Sequence, residues 1–177
     1  MVKIMVVTYV IKQVDKDNAG PVVEFMKALR KEVFPMLDKQ PLPADIVQFH
    51  DYYMNRNDAA VFAAISEEGK VLGTIGYLPY DNRFADLWHL YTETKTTELV
   101  RCYIDSQYRR QGVGTALYQT ALASIHAAGY DKIYLHSHPF LPGGIPFWKS
   151  LGFEERLAES DPVWNTLHMD KKIGEIK

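Results

Sequence analysis

The sequence predicts an α+β fold, and three observations lead there. Segments rich in β-branched residues are interspersed with segments whose apolar residues recur at helical spacing, in the order β-α-α-β-β-β-α-β-α-β. The run Ile104-Asp105-Ser106-Gln107-Tyr108-Arg109-Arg110-Gln111-Gly112-Val113-Gly114-Thr115-Ala116-Leu117 joins a strand-like stretch directly to a strongly patterned helix. Composition is that of a globular chain, 47% hydrophobic and 24% charged, and 177 residues suffice for a sizeable core.

Val6 to Val14 reads as the first strand by β-branched enrichment. The N-terminal stretch Met1 to Ile11 is apolar but short, carries Thr8 and lacks a small-residue cleavage site, so it belongs to that strand rather than to a leader. Asp15-Lys16-Asp17-Asn18 offers N-caps for a helix from about Pro21 to Phe34, with Val22, Phe25, Met26, Leu29 and Val33 on its core face. Pro35, Pro41 and Pro43 break the next stretch into a loop. A second helix, about Ala44 to Met54, carries Ile46, Val47, Phe49, His50 and Tyr53, and Asn55 to Asp58 is a turn. Ala60 to Ile65 and Lys70 to Tyr77 form two antiparallel strands joined through Glu67-Glu68-Gly69. Tyr80 to Lys95 is mixed and polar and receives no assignment.

Glu98 to Ile104 is the strand that leads into the glycine-bearing run. The helix behind it, Gly112 to Ala128, presents Val113, Leu117, Ala121 and Ile125 at fourfold spacing, and Gly129 stops it. Ile133 to His136 is the next strand. Pro139 to Gly144 is a loop, Ile145 to Ser150 a short helix ended by Gly152-Phe153, and Thr166 to Lys172 the final strand. No repeat, low-complexity tract or linker interrupts this order, so a single domain is expected over residues 1–177.

The junction at Arg109 has the chemistry of a phosphate cradle. A helix start leaves its first N–H groups without intrahelical partners, and its dipole is positive there. Gly112 and Gly114 keep side chains out of the way, and Arg109 and Arg110 add positive charge. A Walker-type loop needs four residues between its glycines and a lysine after the second, and neither is present. A dinucleotide fingerprint wants glycine or alanine where Leu117 stands. The spelling that fits is Arg/Gln-x-x-Gly-x-Gly/Ala, on Arg109, Gly112 and Gly114.

Placed directly after a strand and opening a helix, this run resembles the acyl-CoA pyrophosphate loop of the GNAT superfamily of N-acyltransferases. The element order agrees along essentially the whole chain, most specifically from Glu98 to Phe153. The resemblance implies a mixed central sheet of about six to seven strands flanked by about four helices. It implies acetyl-CoA as co-substrate, with the backbone N–H groups of Gln111, Gly112, Val113, Gly114 and Thr115 on the pyrophosphate. It further implies that the backbone of Cys102, Tyr103 and Ile104 pairs with the pantetheine arm like an added strand, beside an edge where two central strands splay.

Candidates for proton transfer follow from the reaction, in which a neutral amine attacks a thioester. Glu98, eleven residues before Arg109, matches the position where several GNAT enzymes place a catalytic glutamate, and half-burial is expected to raise its pKa. Arg101 alternates in facing and is a candidate to pair with a neighbouring acid. His136 and His138 share one face of their strand and are the second candidates. As a zinc pair they lack a third ligand, so capping or packing is favoured and no metal is expected. His50, His89, His126 and His168 show no partner pattern. Phe147-Trp148-Lys149-Ser150-Leu151-Gly152-Phe153 resembles the family's Phe-Tyr-x-x-Leu-Gly-Phe segment, which implies that Phe147 and Trp148 lie by the cofactor. Trp148 replaces a tyrosine that in many members returns a proton to the thiolate, and Leu141 stands where an asparagine is usual. Either Tyr103, a histidine or water protonates the sulfur, or the thiolate leaves without a dedicated acid, or the fold has lost catalysis.

Tyr52, Tyr53, Tyr80, Trp88 and Tyr91 are available to line an acceptor pocket, though aromatics at helix spacing are more often core than cage and name no substrate. A formal charge of −2 gives no basic field for nucleic acid. The lone Cys102 permits no disulfide, and inside a strand it reads as packing rather than as an acetyl carrier. No apolar run approaches the ~20 residues of a membrane span, so a cytoplasmic, membrane-free protein is expected. Two functions stay in play: an N-acetyltransferase acting on a primary amine of a small molecule or peptide, and a catalytically silent CoA-binding regulator. The acceptor, the acyl chain length and the oligomeric state, a homodimer included, are left open.

Overall fold

The computed structural model describes residues 6–174 of the chain; of the apolar stretch Met1 to Ile11 read as strand, Met1 to Met5 lie outside the described residues. Along the chain run β1 (Tyr9–Gln13), α1 (Ala19–Val33), α2 (Ala44–Val47), α3 (Phe49–Tyr53), β2 (Ala60–Ser66), β3 (Val71–Pro79) and α4 (Trp88–Tyr91). They are followed by β4 (Thr96–Ile104), α5 (Val113–Ala127), β5 (Lys132–Ser137), α6 (Gly144–Ser150), β6 (Glu154–Ala158) and β7 (Leu167–Lys172). The strands form one mixed sheet in the order β1-β2-β3-β4-β5-β7-β6. This is the expected α+β arrangement. Among the described residues no helix is long and apolar enough to cross a membrane.

By internal packing the chain divides into two compact units, residues 1–76 with 101–123, and residues 77–100 with 124–177. In the first, β1 and β2 pair antiparallel from Tyr9↔Ser66 to Gln13↔Phe62. α1 buries Val22, Met26 and Leu29, the stripe its spacing predicts. The expected helix from Ala44 to Met54 is two short ones, because Gln48 takes φ −108 and ψ 42 between them. Gly73 in β3 sits where a Cβ would meet Ile104 Cδ1 at 2.7 Å and Tyr103 O at 3.1 Å, so a side chain there would require the Ile104 side chain to shift.

In the second unit β4 and β5 pair in parallel over Thr96↔Lys132, Thr97↔Ile133 and Glu98↔Tyr134. β5 and β7 pair antiparallel, with His136 opposite His168 and Tyr134 opposite Asp170. β6 pairs with β7 through an irregularity between Glu155 and Leu157. It is the strand missing from the expected order: Glu154-Glu155-Arg156 is charged, and the strand is mostly exposed. The unassigned stretch 80–95 contains a 3₁₀ turn, Ala85–Leu87, and α4. It supplies Tyr80, Leu87 and Tyr91 to a core cluster around Tyr134.

Candidate functional site

The glycine-bearing loop belongs to the first unit. Asp105 caps the turn Ser106–Tyr108 by accepting from Gln107 N at 2.9 Å. Arg110 and Gly112 then both take left-handed backbone, φ 61 and φ 84, and α5 starts at Val113. The first helical bond runs from Ala116 N to Gly112 O at 3.0 Å. The N–H groups of Val113, Gly114 and Thr115 therefore precede the intrahelical ladder, and the first turn holds no acidic residue. A Cβ built on Gly112 would meet nothing within 4 Å, so open space fronts the loop. Arg109 is partly committed elsewhere, donating from Nε to Ile104 O at 3.2 Å with Nη2 3.8 Å from Glu32. Gln111 donates to Gln107 O at 2.8 Å.

β4 reaches this loop through an irregularity. Arg101 has φ 53, a left-handed residue inside a strand. Its guanidinium grips Asp45 of α2 with two bonds, Nε to Oδ2 at 2.8 Å and Nη2 to Oδ1 at 2.5 Å. Tyr53 OH donates to the same carboxylate at 2.6 Å. Burial raises the Asp45 pKa, but Arg101 and Tyr53 together bring it below the ordinary value. Arg101 thus finds the acid partner its facing suggests. Cys102 and Ile104 are partly exposed and Tyr103 is buried. Its apolar surroundings push the Cys102 thiol up to about 12.

The titratable cluster belongs to the second unit. Glu98, only 5% exposed, is clamped by Arg83, with Nη1 to Oε2 at 2.7 Å and Nη2 to Oε1 at 2.6 Å. His136 Nδ1 lies 3.5 Å from Glu98 Oε1 and 3.5 Å from Tyr134 OH. The expected rise in the Glu98 pKa does not occur. Burial does push it up, but the Arg83 pair and His136 outweigh burial and bring it down to about 2. His138 is buried, donates from Nδ1 to Trp164 O at 3.2 Å and stacks on Phe140 with centroids 5.2 Å apart. Burial and the neighbouring His136 lower its pKa. His168, which sequence alone leaves without a role, is fully buried; Nε2 lies 3.6 Å from Glu159 Oε1 and Nδ1 2.7 Å from Tyr134 OH. Burial lowers the pKa of this imidazole, against the opposing pull of Glu159. Among the described residues no group of three or more His, Cys, Asp or Glu is arranged to hold a metal.

The sequence pattern of the Acetyltransferase (GNAT) family matches residues 23–153. The chain belongs to the GNAT acetyltransferases. Human N-acetyltransferase 8 is 28% identical over 126 residues, which cover 71% of this GNAT chain and 52% of the human protein. The chain therefore spans about half the length of that relative. A GNAT-family acetyltransferase from Staphylococcus aureus Mu50 superimposes with a TM-score of 0.72 at 21% identity, over 94% of this chain and 100% of that one. The PaiA N-acetyltransferase of Thermoplasma acidophilum, solved in complex with coenzyme A, gives 0.66 at 17% identity over 93% and 99%. The GNAT fold expected from the loop and the element order is borne out.

Within this GNAT chain, the aromatic segment of α6 is a packing element. Trp148 is 7% exposed, with its ring 4.8 Å from Phe147 and 5.5 Å from Phe153. Of the aromatics considered for an acceptor pocket, Tyr80 and Tyr91 are core and Tyr53 serves Asp45. Trp88 is exposed and donates to Asn82 O at 2.5 Å. Arg83, Asp45 and His168 escape sequence reasoning because their partners lie 15, 56 and 34 residues away.

Proposed function

We propose that this GNAT chain transfers an acetyl group from acetyl-CoA to a primary amine of a small molecule or peptide, by direct attack in a ternary complex, working as one acetyltransferase domain. The observation that carries the reading is the loop opening α5, in a chain of this family. Its free-standing N–H groups, the absence of an acid in the first turn and the open space before Gly112 all suit a pyrophosphate. On this reading Gln111 to Thr115 hold the phosphates by backbone N–H, Arg109 and Arg110 add charge, and the Cys102–Ile104 backbone pairs with the pantetheine arm. Phe147 and Trp148, whose rings pack 4.8 Å apart, are our candidates for apolar contact with the cofactor.

The amine nitrogen bonds to the thioester carbon, the C–S bond breaks and sulfur leaves with the electron pair. We assign the amine's proton to His136 rather than to Glu98. A carboxylate held near 2 by Arg83 binds protons too weakly to take one from an ammonium group near neutrality. It is suited instead to receiving Nδ1–H of His136, which leaves the Nε2 lone pair for the proton. His138 is tied to Trp164 O and reads as a wall of the cluster. Tyr103, on the pantetheine strand, is our candidate donor to the departing sulfur.

The test is a thiol-release assay with acetyl-CoA across amines, polyamines, amino acids, aminoglycosides and peptides. Turnover with at least one class is expected, together with a higher melting temperature on adding CoA. CoA stabilisation without turnover on any amine would replace the enzyme reading with the silent regulator. No stabilisation and no turnover would remove both.

A further inference from the structure

Arg101 occupies a conformation that its own side chain opposes. At φ 53 the Cβ of an L-residue crowds the backbone, and arginine has no local side-chain bond to offset this as asparagine does. Such a residue persists in a strand only when its surroundings hold it there. Here they do so from two directions. Thr74 Oγ1 donates to Arg101 O at 2.8 Å, which fixes the peptide on the far side of the kink. Asp45 takes the guanidinium in a bidentate grip, 7% exposed and itself fixed by Tyr53 OH. A two-bond fork sets orientation as well as position, so the side chain can serve as a lever on its own backbone.

The kink has consequences for the next three residues. Side chains and backbone groups of a strand alternate, and one left-handed residue re-aims everything after it. The residues re-aimed are Cys102, Tyr103 and Ile104, after which Asp105 N returns to Leu72 O at 2.9 Å. Asp45 takes no part in the proposed chemistry, yet it is a buried charge with three hydrogen bonds converging on it.

We propose that Asp45 is a positioning residue for acetyl-CoA: through its grip on Arg101 it holds the left-handed kink of β4 that aims the Cys102–Ile104 backbone at the pantetheine arm. The inference rests on the reading of those three residues as the pantetheine-pairing strand. It makes α2 part of the cofactor machinery without contact to the cofactor, and it explains why a charge is buried there.

Glycine separates this role from plain structural support, because glycine adopts φ near +53 without help and alanine does not. The experiment compares Asp45→Asn, Arg101→Ala and the double variant Asp45→Asn/Arg101→Gly by acetyl-CoA calorimetry, acetyl-CoA KM and kcat at saturating amine, and melting temperature. Asp45→Asn and Arg101→Ala are expected to raise Kd and KM for acetyl-CoA on the order of 10- to 100-fold, as sub-ångström to ångström misplacement does. The double variant is expected to return Kd to near the wild-type value while its melting temperature stays low, since the buried pair is still missing. If Asp45→Asn does not fold, Arg101→Ala against the double variant makes the same comparison. Kd values that follow melting temperature across the series, with no rescue by glycine, would overturn the proposal. Wild-type protein that binds acetyl-CoA tightly alongside an equally tight Arg101→Ala would sink this inference and leave the acetyltransferase reading standing. Wild-type protein that binds no acetyl-CoA removes both.

Discussion

Glu98 shows how a single side chain's partners decide its chemistry. Burial alone would make it a proton acceptor, and Arg83 makes it a permanent anion instead. A folded pKa near 2, depressed from 4.5, means that the unfolded chain binds the proton more readily. The stability this carboxylate contributes is therefore fully present above about pH 4.5 and drains as pH falls towards 2. For a group this buried the amount is roughly 3 kcal/mol. Equilibrium unfolding of the wild type is expected to lose that much across the window, and Glu98→Gln to lack that part of the slope and start lower at pH 7. A variant with the full acid slope would place the titration elsewhere.

On the proposed mechanism the same geometry orders two residues in catalysis. His136→Gln is expected to lower kcat on the order of 10²-fold at unchanged acetyl-CoA affinity, the usual contribution of a general base. Glu98→Gln keeps a hydrogen-bond acceptor for Nδ1 and loses less. Its remaining rate is set by how well the neutral amide orients the ring. Parallel pH–rate profiles would decide the matter: a larger loss from Glu98→Gln than from His136→Gln returns the base to the carboxylate.

Among the elements, α5 carries the proposed phosphate contacts at its first turn and its buried stripe along its length. Val113, Leu117, Ala121 and Ile125 are all buried, so the helix is anchored well away from the loop it opens onto. Gly114→Asp separates the two. An acid in the first turn suits the helix dipole, so the melting temperature is expected to hold or rise slightly. The same carboxylate would face a pyrophosphate, and acetyl-CoA affinity is expected to fall about 100-fold or more in calorimetry. Retained affinity in the folded variant would move the phosphates off this loop.

What sequence reveals about the elements follows the range of the forces that form them. α1, α5 and the strands from β1 to β5 are legible because period and capping lie within a few residues. The break at Gln48 and the turn at 85–87 depend on what packs over them, and 80–95 shows no period because Tyr80 and Tyr91 are placed by Tyr134 rather than by each other's spacing. β6 has no buried face to betray it. The turn geometry of the glycine loop is legible because it is local backbone, and its reading as a phosphate site is our proposal. The cluster around Glu98 was legible only in its members: Glu98 and His136 stand out by type, but Arg83, which reverses the sign of the Glu98 shift, arrives from a stretch without pattern.

At the scale of the whole molecule, the partition into two units sorts the chromophores. All three tryptophans, Trp88, Trp148 and Trp164, fall in the second unit, and none falls in the first. Intrinsic tryptophan emission excited at the red edge therefore watches one unit alone, while far-ultraviolet dichroism counts the helices of both. β3, β4 and α5 each pass from one unit into the other, so the chain is expected to lose both signals in a single step of urea. Superimposable curves would make the partition a matter of local density within one cooperative structure. If emission changed at a different midpoint from ellipticity, the two units would be separate thermodynamic bodies, and a ligand held by the loop of the first would shift the ellipticity curve while leaving the tryptophans unmoved.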